Sequence, residues 1–68
     1  MEGWTCIYTS GKLIEVEIIR GYLDENNITA IIVNKQDSVY FIGDVELYVP
    51  FEDAFSANQI IKSIQQSE

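Results

Sequence analysis

The chain of 68 residues has no histidine and a single cysteine, Cys6. A lone thiol cannot close an internal disulfide, and without imidazole there is neither a zinc donor set nor the commonest general base. No metal ion or other cofactor is expected. Basic residues are equally scarce. Lys12, Arg20, Lys35 and Lys62 stand against eleven Asp and Glu, for a net charge of −7. Nucleic-acid affinity rests on neutralising phosphates with Lys and Arg, so four scattered bases argue against DNA or RNA as a partner. The same acidity disfavours anionic membrane surfaces. No apolar run approaches the about 20 residues of a bilayer span. Met1-Glu2-Gly3-Trp4 has neither the basic region nor the apolar run of a secretory leader. Together with the unpaired thiol, this sets the expected location as cytoplasmic. A paired-carboxylate site, an activated nucleophile and a glycine-rich phosphate loop are also missing, so no catalytic residue is assigned and a non-enzymatic role is expected.

What is present is pattern. Val45, Leu47 and Val49 alternate with Glu46 and Tyr48, the period-two signature of a half-buried strand. Gly43-Asp44 supplies turn chemistry before it, and Pro50, the only proline, ends it for want of an N–H. Glu52 and Asp53 then fall in the first turn of a helix, where negative charge meets the positive end of the helix dipole. This predicts a strand over 44–49 and a helix over 51–66. Ala54, Ala57, Ile61 and Ile64 lie on one stripe of that helix, with Ile60 beside it and Phe55 off it.

Upstream, aromatic and β-branched residues predict a strand over 4–9. Ser10 is a suitable N-cap for a helix over 11–26. In that helix Val16, Ile19 and Leu23 recur at helical spacing, flanked by Leu13 and Tyr22, while Glu15, Glu17 and Asp24 take the wet side. Asn27 stands at the left-handed C′ position that usually takes Gly. A continuous apolar run through Ile31, Ile32 and Val33 predicts a strand over 28–34 with cover on both faces, at least in part. The connection 35–43 is long for a hairpin and carries Val39, Tyr40, Phe41 and Ile42.

The order is βαββα in one domain, residues 1–68, of the α+β class. A right-handed crossover makes the first two strands parallel. The economical arrangement puts the third strand between them, giving sheet order 1-3-2 with both helices on one face. This is a ferredoxin-like sandwich lacking its last strand, and the opposite sheet face has no helix over it.

Several stretches carry a family resemblance across nearly the whole chain. They are Ile14-Glu15-Val16-Glu17-Ile18-Ile19-Arg20-Gly21-Tyr22-Leu23, Asn27-Ile28-Thr29-Ala30, and Val45-Glu46-Leu47-Tyr48-Val49-Pro50 with Glu52-Asp53 and Ala57. The chain resembles the small bacterial domains called putative prokaryotic signal-transducing proteins, which are placed near PII-like and ferredoxin-like folds. The motifs are mostly structural. Asn27 departs from the Gly usual before the Ile. The resemblance implies a regulatory or binding role and supplies no ligand.

The first candidate surface is the uncovered sheet face. Tyr48 and Glu46 point away from the Leu47 side, and with Ile7 facing the core, Trp4, Cys6 and Tyr8 join them. A contiguous aromatic patch of this kind marks a surface for a protein partner or for a second copy, a homodimer being expected. The alternative is that these rings tile a half-wet sheet or are roofed by the long loop. The second candidate is a small-ligand site formed by Asn34, Lys35, Asp37, Ser38 and Tyr40, against a plain Asx or Ser turn that folds Tyr40 and Phe41 onto the sheet. Glu15, Glu17 and Arg20 read as a solvated helix face, Glu17 and Arg20 being three apart. Cys6 reads as a small packing residue. Phe55, beside Phe51, is either an ordinary exposed ring or the margin of an interface.

Overall fold

The computed structural model describes residues 2–37, 39, 40 and 42–65. Its elements are β1 (Trp4–Ser10), α1 (Leu13–Glu25), β2 (Ile31–Asn34), β3 (Val45–Pro50), a 3-10 turn (Phe51–Asp53) and α2 (Ala54–Gln65). β3 lies between β1 and β2 and runs antiparallel to both. The fold is α+β with the expected βαββα order and 1-3-2 sheet.

The alternation in β3 organises the packing. Val45, Leu47 and Val49 are fully buried, while Glu46, Tyr48 and Pro50 between them are half-buried. The buried row meets Val16, Ile19 and Leu23 of α1 and Ala57 and Ile61 of α2 in one core cluster, so both helices cover the same side of the sheet. α2 packs on β1 and β3, whereas α1 reaches all three strands. The result is a plate of 35 × 34 × 15 Å.

The ends of α1 differ from expectation in opposite ways. Ser10 is not the N-cap; that position falls to Lys12, which makes no side-chain cap bond. The Ser10 hydroxyl instead accepts the Lys12 amide (3.1 Å) and donates to Glu15 Oε1 (2.9 Å), so it fastens the strand-to-helix corner from two residues further out. The C-terminus is as expected. Asn27 has φ 64°. Its amide donates to the Asp24 carbonyl and that of Ile28 to the Leu23 carbonyl, a Schellman motif whose hydrophobic contact pairs two buried side chains, Leu23 and Ile28. This cap explains why the strand expected over 28–34 forms only from Ile31: Ile28 is spent on the helix end. α2 is likewise preceded by the 3-10 turn, and Gln66 of the expected helix lies outside the described residues.

The β2–β3 connection extends the hairpin beyond the sheet. The Lys35 amide donates to the Asp44 carbonyl and the Asp37 amide to the Ile42 carbonyl. Gly43 closes its base at φ +123°, where an added Cβ would stand 2.8 Å from the Lys35 carbonyl oxygen.

These two positive-φ positions should respond oppositely to substitution. Asn27→Gly relieves the residual left-handed strain and is expected to raise unfolding free energy by about 0.5–1 kcal/mol. Gly43→Ala meets both strain and a backbone clash and is expected to lower it by about 2 kcal/mol or more. Urea denaturation of the two variants checks both signs; a destabilised Asn27→Gly or a neutral Gly43→Ala contradicts this account.

Candidate functional site: the uncovered sheet face

Residues directly opposite one another in an antiparallel pair share a face. On β3 the uncovered face carries Glu46, Tyr48 and Pro50. Opposite them on β1 are Trp4 (to Pro50), Cys6 (to Tyr48) and Thr9 (to Glu46), and on β2 Ile31 (to Tyr48) and Val33 (to Glu46). Trp4, Tyr48 and Val33 are half-buried, and Ile31 is 39% exposed. Of the residues expected on this face, Trp4, Cys6, Glu46 and Tyr48 come together there.

Tyr8 does not. The pairing register shifts between Cys6 and Tyr8, which leaves Ile7 without a partner and places Tyr8 opposite Leu47. A β-bulge of this kind puts two successive residues on one side, so Ile7 and Tyr8 both pack against the core. The Tyr8 hydroxyl comes within 3.5 Å of Glu15 Oε1 on α1. Desolvation by burial, reinforced by the Glu15 carboxylate, raises the Tyr8 phenol above its usual pKa. Strict alternation misassigned Tyr8 because nothing in Cys6-Ile7-Tyr8 announces a bulge. Ile31 and Val33 were missed for a different reason. An apolar run in a strand covered on one side alone must expose alternate members, and that signal was available.

Among the described residues, the apolar side chains of the loop do not roof this face. Val39, Tyr40 and Ile42 are 70%, 73% and 71% exposed, so Tyr40 is not folded onto the sheet; Ser38 and Phe41 lie outside the described residues. Asn34 and Asp37 serve the turn. Asn34 Oδ1 accepts the Gln36 amide, and Asp37 Oδ1 accepts the amides of Val39 and Tyr40. These bonds, Tyr40 first and then Val39, hold the Asp37 carboxyl below its usual pKa. Gln36 Nε2 donates to the Gly11 carbonyl at 2.6 Å, tying the hairpin to the β1–α1 corner. Asn34 pairs with Val45 on the helix side while Lys35 reaches Glu46 on the other, so these two residues of the expected loop site face opposite sides of the sheet. A groove of about 350 Å³ lies instead between the helices, lined by Tyr22, Asn26, Ile60, Ser63 and Ile64.

The remaining candidates are soon placed. Cys6 is exposed, its thiol within 3.5 Å of the Tyr8 carbonyl oxygen. Glu15 is committed to Tyr8 and Ser10, while Glu17 and Arg20 are exposed. Phe51 and Phe55 are 74% and 75% exposed. Among the described residues no helix is long and apolar enough to cross a membrane.

The family profile described as putative prokaryotic signal transducing protein matches residues 4–65, from the first residue of β1 to the last of α2. The chain belongs to this family. Comparison with curated proteins and with solved structures gave no match. In this family member, then, every element of the fold falls within the family match, the uncovered face included.

That face has one charged strand residue, and its charge is neutralised. Glu46 Oε1 accepts the Tyr48 hydroxyl at 2.8 Å and lies 3.2 Å from Lys35 Nζ. The Tyr48 hydrogen bond, then Lys35, lowers the Glu46 pKa. The bond to Glu46 raises both the Tyr48 phenol and the Lys35 ammonium. The lowered carboxylate contributes stability above its usual 4.5, lost as pH falls through the lowered value. The raised phenol and ammonium contribute below their usual 10.0 and 10.5, lost as pH rises through the raised values. Between those limits the trio is intact. Glu46→Gln should bring the Tyr48 titration midpoint, followed by tyrosine-ring NMR, back down toward 10.0; an unmoved midpoint contradicts the assignment.

Proposed function

We propose that this domain is a non-enzymatic, cytoplasmic signalling module that docks a protein partner on its uncovered sheet face. The observation that carries the reading is electrostatic. The molecule has a net charge of −7, yet the strand residues of this face are Trp4, Cys6, Thr9, Ile31, Val33, Tyr48, Pro50 and a Glu46 neutralised by Lys35. The excess negative charge therefore lies elsewhere. A neutral patch of rings and β-branched side chains can be desolvated at low cost, which is the character of the core of an interface.

The surroundings indicate the partner's chemistry. Glu2 precedes β1, Asp44 precedes β3 and Asp37 lies on the hairpin. Acids at the margin of an apolar centre suit a partner whose apolar patch is bordered by Lys and Arg, and they speed its approach at low salt. A second copy would bring like charges together at that margin.

A photo-crosslinking residue at Thr9, on this face, is expected to capture a protein in cells that the same probe at Gln59, on α2, does not. With that protein purified, Tyr48→Ala should weaken binding about tenfold or more. Equal capture at both positions, or an affinity indifferent to Tyr48→Ala, rejects the proposal.

A further inference from the structure

The sheet ends on two strands, β1 and β2, each bonded on one side to β3 and, among the described residues, to no strand on the other. A free edge is a row of backbone donors and acceptors that a strand of a second copy can take up. β2 has four residues, and Lys35 follows it directly. Short length and a lysine at the edge both discourage such pairing. β1 has neither. Its seven residues, Trp4-Thr5-Cys6-Ile7-Tyr8-Thr9-Ser10, include no charge and no proline, a composition prone to pair with itself.

The irregularity at Ile7 falls in the middle of this edge. The Phe51 amide donates to the Gly3 carbonyl at 2.8 Å, and these two residues extend the pairing of Trp4 with Pro50 by one step. Opposed residues of an antiparallel ladder alternate between bonded and non-bonded pairs. Thr5 therefore bonds toward β3 with Val49, while Trp4 and Cys6 turn their backbone groups outward. Leu47, two residues from Val49, bonds toward β1 again, so Tyr8 faces inward with it and Thr9, opposite Glu46, turns outward. The outward groups thus stand at Trp4, Cys6 and Thr9, spaced by two residues and then by three. A regular strand presents its groups at every second residue, so it can follow this edge on one side of the bulge only. The distortion reaches the side chains. Cys6 Sγ lies 3.6 Å from Thr9 Oγ1, whereas residues three apart on a regular strand point to opposite faces.

We infer that the bulge at Ile7 is a guard that stops β1 from pairing with β1 of a second copy. Without one of the two bulged residues, Trp4, Cys6 and Thr9 are evenly spaced and the remaining pairs with β3 keep their register. Two such edges can pair about a two-fold axis, Cys6 against Cys6 and Trp4 against Thr9, joining two three-stranded sheets into one.

Sedimentation velocity at about 100 μM, with a thiol reductant present, tests this. Deletion of Ile7 should shift the protein from the wild-type mass to twice that mass or more. Deletion of Tyr8 leaves Ile7 opposite Leu47 and should do the same. Adding Thr9→Pro to either deletion removes an outward amide while sparing the ladder to β3, and should restore the wild-type mass. Circular dichroism confirms that each variant is folded. In the wild type, amide exchange followed by NMR should be fast at Cys6 and Thr9 and slow at Thr5. A folded deletion variant that keeps the wild-type mass overturns the inference. So does association that Thr9→Pro leaves in place, or slow exchange at Cys6 and Thr9 in the wild type. Loss of the fold in both deletions also overturns it, since the bulge would then be a requirement of the fold itself.

Discussion

Burial of three alternate residues of β3 is the constraint on which the molecule depends. Val45, Leu47 and Val49 have no solvent exposure, and they belong to the one strand bonded to both others. The two helices are therefore held by a single row of side chains, and the two edge strands by the backbone of the same strand. A period of two leaves no freedom about the rest. With Leu47 inward, Glu46 and Tyr48 must face the other way, and a one-residue slip would exchange the core for the exposed patch. The packing beneath thus decides which residues of β3 the uncovered face presents, and only a change of register would alter both sides together.

The legible parts of this fold were those in which neighbouring residues agree. Around β3, the glycine turn, the alternation and the closing proline all point to one answer, and the observed strand differs by a single residue at each end. Asn27 was readable for the same reason, since its position after a helical run matched the left-handed backbone that Asn tolerates. The failures came where one residue serves two neighbours. Ser10 looks like an N-cap, yet its hydroxyl ties the Lys12 amide to the Glu15 carboxylate. Ile28 looks like strand but completes the helix cap.

Tyr8 shows where sequence periodicity has no purchase. Its side is set by one unpaired residue, Ile7, and a bulge depends on how β1 meets β3 rather than on the composition of β1. The exposed apolar residues of α1 are the opposite case. Ile14, Ile18 and Tyr22 stand at plain helical spacing beside the buried row of Val16, Ile19 and Leu23, so a second apolar side was legible. A helix whose apolar residues exceed one stripe should be asked what covers the remainder.

The plate is only 15 Å thick. If the proposed docking on the sheet face is the domain's role, that dimension has a particular meaning. In a large domain, tens of ångströms of packed interior separate one surface from another, and a disturbance must cross many contacts. Here the backbone of β3 is the sole partition: Leu47 touches what lies beneath the helices, and its immediate neighbours in the chain, Glu46 and Tyr48, touch what lies on the far side. Whatever shifts that strand is felt on both sides at once, with no intervening layer to absorb it.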